Sequence, residues 1–484
     1  MAEEKMKLTG SAKLGYGLGA VGKDMVYMLS ASYVFYYFQD IMGASAIIIG
    51  IISMIARVFD AFNDPIMGAI VAKTKTRWGK FRPWLLIGTI TNAVILVAMF
   101  MAPPTLDAGG IGVYAAVTYI LWGVTYTMMD IPYWSMIPAF TEGGKEREGL
   151  TTLARSCAGV GSALISIFTM MVVHALGTKF AAENAGAYEI ERVGFKYVAI
   201  GVAILFVIFI VITCLTVKEK SSVDMESPTV GEMFKSLISN DQAMTVVLTI
   251  VMINTALYVT SNLIIYFFKY DLGGTSWYNN YTVFNMVGGA TQILSMMVLY
   301  PLLRNGLKLN NIKIFIYGAI ASIIGYFVLL GLATFGVNSL APFLVPGVII
   351  MAVSGVNNVV VTVFLANTVD YGELKNGHRD ESVIFSMQTF VVKLASGVAI
   401  LVSSIALQVF KLSNTDATEA EQSMDLSLAV PEASKMGLRL VMTLIPIAVL
   451  IFAVHWFKKR YILTDEKIEE ITAELDSKKA KMNE

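Results

Sequence analysis

The stretch SAIIIGIISMIARVFDAFNDPIMGAIVA, residues 45–72, decides the fold class of this chain. Its two ends are apolar enough to lie in lipid, but its middle carries Arg57, Asp60, Asn63 and Asp64. An acidic residue at the centre of a membrane helix costs roughly 2.5–3.5 kcal/mol on insertion scales, so such residues normally face a partner or a water-filled cavity. The stretch therefore predicts a membrane-spanning helix with a functional polar face.

The composition of the whole chain agrees with a location in the membrane. Of 484 residues, 56% are hydrophobic and only 15% are charged, with a mean hydropathy of +0.66. A soluble protein with a polar surface is excluded by these values. The sequence contains about twelve segments that are long and apolar enough to cross a bilayer, since a spanning helix needs roughly 20 residues. It therefore predicts an all-α membrane protein with 12 transmembrane helices.

Basic residues recur in every second connecting loop. They occupy the N-terminus, 74–82, 143–149, 217–222, 304–313, 373–381 and 457–460. Because such loops normally stay on the cytoplasmic side, both termini are predicted to be cytoplasmic. No cleavable signal peptide is evident, so the first span is expected to target the chain to the plasma membrane as a multi-pass protein.

The longest polar interval on the predicted cytoplasmic side divides the chain into halves of six spans. We predict an N-terminal six-helix bundle (1–217), a middle loop (218–240), a C-terminal six-helix bundle (241–457) and a cytoplasmic amphipathic tail (458–484). Apolar residues at helical spacing predict that the tail is a helix lying on the membrane or on the protein. Two six-helix halves are typical of major-facilitator transporters, which bind substrate near the bilayer midplane.

Three oxygen-bearing side chains share one face of the second span. Asp60, Asn63 and Asp64 are spaced i, i+3 and i+4, about one helical turn apart. Their hard oxygen donors suit Na⁺, Li⁺ or a proton better than a soft metal. Pairing of Asp60 with Arg57 is an alternative, in which the pair only braces the bundle, but it leaves Asn63 and Asp64 unexplained. We therefore predict a cation site.

The fourth span carries Thr127, Asp130 and Trp134 on one helical face. A carboxylate accepts hydrogen bonds from adjacent sugar hydroxyls, while an aromatic ring covers the apolar C–H face of the sugar. Trp134 alone could equally be an interfacial anchor. Because Asp130 lies one turn away, a sugar ligand is the favoured interpretation.

Further polar residues lie inside other predicted spans and suggest a balanced charge network in an aqueous cavity. They are Lys23, Asp24, Arg155, Gln388, Thr389 and Lys393. Lys393 could instead extend its ammonium group to the membrane surface. Its place several turns from the ends of its span disfavours that alternative.

The basic loop 76–84 and the acidic loop 369–381 are candidates for a gate. The charges of the basic loop are already explained by its predicted cytoplasmic position. Ion pairs that break and form between the halves would in addition let the two loops act as a gate that opens and closes. The candidate gating residues are Arg57, Asp370 and Glu373. Histidines and cysteines are scattered without ligand spacing, so no metal site beyond that of the coupling monovalent cation, no cofactor and no enzymatic activity are predicted. We expect a monomer without a nucleic-acid partner.

Seven motifs extend along the chain: YGLGAVGKD, RVFDAFNDPIMG, TRWGKFRPW, ILWGVTYTMMDIPYWSMIP, EREGL, VDYGE and QTFVVK. Together they resemble the glycoside-pentoside-hexuronide:cation symporter family, particularly its melibiose permease-like members. The resemblance implies a major-facilitator fold that couples sugar uptake to Na⁺, Li⁺ or H⁺ by alternating access.

Site residues also follow from the resemblance. Asp60, Asn63, Asp64 and Thr127 match cation-binding positions. The positions that match sugar contacts or further cavity residues are Asp24, Asp130, Trp134, Arg155, Lys23, Gln388, Thr389 and Lys393. Asn358 and Asn367 depart from the pattern of the melibiose permeases, so the substrate is not expected to be restricted to α-galactosides. The resemblance implies a glycoside such as melibiose or a related oligosaccharide, a pentoside or a hexuronide. A lipid or drug transporter on a related fold is the alternative.

Overall fold

A computed structural model describes residues 9–137, 144–217, 238–377, 381–412 and 425–483, together with 231 and 235. These residues form helices and their connections, with no strand among them. The helices are α1 Gly10–Tyr36, α2 Ala46–Lys73, α3 Arg82–Met99, α4 Ala108–Ser135, α5 Gly144–Phe180, α6 Ala187–Thr216, α7 Asp241–Tyr266, α8 Trp277–Leu294, α9 Asn311–Thr334, α10 Leu340–Asn376, α11 Glu381–Val409, α12 Glu432–Arg460 and α13 Asp465–Asn483.

Within the described ranges, 11 helices are long and apolar enough to cross a membrane. The predicted all-α membrane fold is therefore confirmed. Helix α1 is not among the 11, because glycines, serines, tyrosines, Lys23 and Asp24 dilute its apolar residues. The total of twelve spans and the cytoplasmic position of both termini stay predictions.

The chain forms two compact units, of which unit 1 comprises Met1–Ser227 with Ser413–Ala429 and unit 2 comprises Pro228–Leu412 with Val430–Glu484. The first helix of each unit continues into a π-helical turn, at Tyr37–Ile41 after α1 and at Phe267–Leu272 after α7. Such π turns are uncommon. Their recurrence at matching places gives the two units a shared structural feature. The finer domain bounds stay a prediction.

In unit 1, α1 packs against α5 and α6, and α4 packs against α2 and α3. Glycines allow the close approach of α1 to α6, because a Cβ atom on Gly15 or Gly19 would overlap the side chain of Thr216 or Thr213. The Thr9 hydroxyl caps the start of α1 by accepting a hydrogen bond from the Ala12 amide at 3.3 Å. Helix α1 is thereby packed closely against α6 and against α5, the helix that carries Arg155.

In unit 2, the C-terminal helix α13 packs on the protein, one of the two positions that the sequence left open. Ile471 and Leu475 are buried in the same hydrophobic cluster as Phe364 of α10. At the start of α13, Asp465 accepts a hydrogen bond from the Arg304 guanidinium at 2.8 Å. The amphipathic pattern of the tail therefore reflects packing onto unit 2.

Candidate functional site

A buried lysine joins two carboxylates on different helices of unit 1. Lys23 of α1 is only 3% exposed, and its Nζ lies 2.7 Å from Asp130 Oδ1 on α4. The same Nζ lies 3.0 Å from Asp24 Oδ2. The carboxylates remain partly accessible, with side-chain exposures of 25% for Asp130 and 18% for Asp24. Ion pairing neutralises the lysine while leaving carboxylate oxygens available to a ligand.

Trp134 lies between two cationic side chains of this group. The Arg155 guanidinium carbon is 4.0 Å from the centre of the Trp134 ring, and Lys23 Nζ is 4.9 Å from it. Such cation–π contacts orient the ring and are not expected of a tryptophan that serves only as an interfacial anchor. We call Lys23, Asp24, Asp130, Trp134 and Arg155 the sugar cluster, because these are the predicted sugar-contacting residues that the structure brings together.

The predicted cation residues lie between α2 and α4. The Thr127 hydroxyl of α4 donates a hydrogen bond to Asp64 Oδ1 at 3.1 Å. Asn63 is half-buried on the same turn of α2 as Asp64. Arg57 Nη1 is 3.9 Å from Asp60 Oδ2, so the bracing pair exists, although this distance exceeds that of a charge-assisted hydrogen bond. We call Asp60, Asn63, Asp64 and Thr127 the cation cluster.

Gly123 makes room for one of these carboxylates. A Cβ atom at this position would overlap Asp60 Oδ1, so only glycine lets α4 accept the Asp60 side chain there. Gly123 was not predicted from the sequence. Its close contact depends on the side-chain conformation of Asp60 on another helix, and no sequence motif reports it.

Aromatic residues fill the space beside the two clusters, and of these only Tyr126 was noted in the sequence, on the polar face of the fourth span. Lys23 Nζ donates to the Tyr126 hydroxyl at 3.4 Å, and the ring of Tyr126 lies 5.6 Å from that of Tyr27. Tyr126 also stacks on Trp122 at 5.2 Å. Helical spacing was the available signal, because Tyr27 follows Lys23 by four residues and Tyr126 precedes Asp130 by four.

Residues 15–465 match the protein family described as MFS/sugar transport protein. The chain belongs to this family. Membership identifies it as a sugar or glycoside symporter of the major facilitator superfamily, embedded in a membrane through several spans. It also confirms the resemblance to glycoside-pentoside-hexuronide:cation symporters and the prediction that the chain is not an enzyme.

Relatives within the MFS/sugar transport family match nearly the whole chain. A lactose permease of Lactobacillus delbrueckii subsp. bulgaricus is 29% identical over 493 residues, covering 98% of this chain and 73% of that protein. A glucuronide carrier protein homolog of Escherichia coli K12 is 27% identical, with 96% of this chain and 95% of that protein covered.

A solved structure supports the fold. A bacterial homolog of the human lysosomal transporter Spinster superposes with a TM-score of 0.63 at 12% identity, covering 95% of this chain and 97% of that chain. At this identity the likeness concerns the MFS fold alone.

The other predicted residues of this MFS/sugar transport protein lie in unit 2. Lys393 is half-buried on α11, whereas the side chains of Gln388 and Thr389 lie outside the described part of the structure. Asp370 and Glu373 are half-buried on α10. Arg57, the third candidate gating residue, is buried beside the cation cluster of unit 1. The gating role of all three stays a prediction.

Unit 2 also holds a narrow, mainly apolar crevice into which several uncharged polar side chains project. It is lined by the amides and hydroxyls of Asn254, Ser354, Asn357 and Asn358, among other residues. Asn357 is buried, and Asn358 on the next position of α10 is exposed. Asn358, which departs from the pattern of the melibiose permeases, thus lies beside uncharged hydrogen-bonding groups.

Proposed function

We propose that this symporter couples uptake of a glycoside to Na⁺, with Li⁺ or H⁺ as the other candidate coupling ions. The observation that carries the proposal is the position of α4 between the two clusters. Thr127 of α4 bonds Asp64 at 3.1 Å, and Asp130, one turn further along α4, lies 2.7 Å from Lys23 Nζ. One helix thus contributes to both sites, so a cation bound at one shifts the energy of the other.

The donor set favours a monovalent hard cation. Arg57, Asp60 and Asp64 carry one negative charge in excess, which a monovalent ion neutralises and a divalent ion overcompensates. The Asn63 amide and the Thr127 hydroxyl add neutral oxygens of the kind that alkali and alkaline-earth ions bind. A proton has no need of such extra oxygens, and for that reason we favour Na⁺.

The sugar cluster offers the chemistry of a glycoside site. Partly accessible oxygens of Asp24 and Asp130 can accept hydrogen bonds from neighbouring hydroxyls, and the Arg155 guanidinium can donate them. Arg155 would also suit the carboxylate of a hexuronide. The lactose and glucuronide carriers among the relatives support both classes of glycoside. Gln388, Thr389 and Lys393 are proposed cavity residues on the strength of the resemblance.

Coupling follows from the electrostatics of the two clusters. A cation at Asp60, Asn63 and Asp64 offsets the repulsion between those carboxylates and Asp130, and so makes the sugar cluster competent to bind. By linkage, the sugar then tightens cation binding by the same factor. Alternating access by rocking of the two six-helix halves completes the proposed cycle.

Uptake into proteoliposomes tests the proposal. Labelled melibiose, lactose, a pentoside and methyl glucuronide are offered under a Na⁺ gradient or a H⁺ gradient to the wild type, Asp64→Cys and Glu183→Gln. Glu183 is an exposed carboxylate between α5 and α6 and provides the matched control. We expect Na⁺-driven accumulation that Asp64→Cys loses and Glu183→Gln keeps.

Two results would change the conclusion. Accumulation driven only by protons would retain glycoside symport and overturn the choice of Na⁺. Absence of glycoside uptake under both gradients, from protein that is folded and inserted, would favour the lipid or drug transporter.

A further inference from the structure

We propose that Tyr27 is a positioning residue that transmits cation binding to the sugar cluster. The inference rests on the proposed function, in which both ligands bind to unit 1. Tyr27 lies on α1, one turn after Lys23, and it is half-buried. It belongs to neither cluster, but its ring contacts residues that contact each of them.

On one side, the Tyr27 ring faces Arg57, the arginine that pairs with Asp60 of the cation cluster. The guanidinium carbon of Arg57 lies 5.8 Å from the centre of the ring, while Arg57 Nη1 is 3.9 Å from Asp60 Oδ2. Arg57 is only 2% exposed, and a desolvated guanidinium interacts strongly with an aromatic face. The Arg57 guanidinium therefore interacts with both the Tyr27 ring and the Asp60 carboxylate.

On the other side, the ring meets the sugar cluster through a second tyrosine. Tyr27 and Tyr126 pack with 5.6 Å between ring centres and an angle of 39° between planes. The Tyr126 hydroxyl accepts a hydrogen bond from Lys23 Nζ at 3.4 Å, and Lys23 holds Asp130 at 2.7 Å. A continuous series of side-chain contacts thus connects Asp60 to Asp130. It passes through Arg57, Tyr27, Tyr126 and Lys23 in that order.

A bound cation changes the first of these contacts. It competes with Arg57 for the Asp60 carboxylate, and the long Arg57–Asp60 separation makes that pair easy to weaken. The attraction of the guanidinium then shifts toward the rings beside it, Tyr27 at 5.8 Å and Tyr119 at 5.9 Å. Tyr119 is buried, with 5% exposure, whereas Tyr27 is half-buried and has more freedom to move. Movement of Tyr27 alters its ring packing against Tyr126. Because the Tyr126 hydroxyl accepts a hydrogen bond from Lys23, the position of Lys23 changes as well.

The test measures the coupling factor, defined as the Kd of a sugar without Na⁺ divided by its Kd with saturating Na⁺. Purified full-length protein is titrated with melibiose, lactose and methyl glucuronide as probes. We expect Tyr27→Leu to lower the coupling factor about fivefold, the equivalent of one cation–π contact, while each ligand alone binds within about threefold of wild type. Tyr27→Phe keeps the ring and should keep the coupling factor.

A matched control and the contrary outcomes make the test decisive. Tyr197→Leu removes another half-buried tyrosine of unit 1, whose ring packs on Phe180 at 4.5 Å away from both clusters, and should leave the coupling factor unchanged. An unchanged factor in Tyr27→Leu, with normal coupling in the wild type, overturns the role of Tyr27 and leaves the proposed function intact. If the wild-type coupling factor is one for every sugar probe, Na⁺ does not affect sugar binding, and the proposed function itself is overturned.

Discussion

The hydroxyl of Thr127 donates a hydrogen bond to Asp64 Oδ1 at 3.1 Å, across the packing of α4 against α2. Thr127 is only 4% exposed, so little water competes for the carboxylate from that side. A hydroxyl that donates to a carboxylate keeps lone pairs directed elsewhere and can accept a cation through them. The bond therefore holds one charged and one neutral oxygen close together.

Replacing Thr127 by Val should weaken Na⁺ binding while preserving side-chain shape. A hydrogen bond to a charged group contributes about 1.5–3 kcal/mol, so we expect roughly tenfold or greater loss of Na⁺ affinity. Thr127→Ser retains the hydroxyl and should stay within about threefold of wild type. Calorimetric titration with NaCl measures both values. Equal Kd values for the Val and Ser variants would remove Thr127 from the cation cluster.

A methyl group on Gly123 should block the cation cluster. In Gly123→Ala the new Cβ overlaps Asp60 Oδ1, and the carboxylate must move away from α4. We expect Na⁺-driven uptake to fall at least about tenfold, because a carboxylate ligand is displaced from its partners. Uptake is compared at equal amounts of inserted protein.

The control for Gly123→Ala is Gly159→Ala on α5, where a Cβ atom has nothing within 4 Å. It should transport like the wild type. If Gly123→Ala also retains full Na⁺-driven uptake, the Asp60 position seen here is not needed for coupling.

Helical periodicity predicted the oxygen-rich face of α2, since Asp60, Asn63 and Asp64 belong to one helix and fixed spacing determines their face. It could not predict that Lys23 pairs with Asp130, because contacts between helices depend on rotation and packing of whole segments. The sequence indicated a balanced charge network without its pairings, and resemblance to a known family supplied the roles. Likewise, the pattern of α13 predicted its apolar face but not the surface that covers it.

Removing the Lys23 charge should disable the sugar cluster. In Lys23→Gln, Asp24 and Asp130 lose the ammonium group that lies 3.0 and 2.7 Å from them. Breaking a buried ion pair from one side costs about 3–5 kcal/mol of folding stability, so we expect the Tm to drop. Sugar affinity should fall as well, because Asp130 loses the group that holds it in position. Lys13→Gln, at an exposed position of α1, should change neither.

A double variant separates folding from binding in that experiment. Lys23→Gln with Asp24→Asn lowers the uncompensated negative charge and should recover much of the Tm without restoring sugar affinity. Recovery of sugar binding in the double variant would show that Lys23 only balances charge and does not position Asp130.

Unit 2 should depend for its stability on one arginine far from either cluster in sequence. Arg439 of α12 is 7% exposed and donates to both oxygens of Asp271 at 2.7 and 2.6 Å, and to Glu432 at 2.7 Å. Arg439→Gln leaves the buried Asp271 carboxylate uncompensated, which we expect to cost about 3–5 kcal/mol. Arg192→Gln breaks a partly exposed pair with Glu189 and should cost at most about 1 kcal/mol. Thermal unfolding in detergent compares the two variants, and equal Tm losses would show that burial does not strengthen the Arg439 bridge.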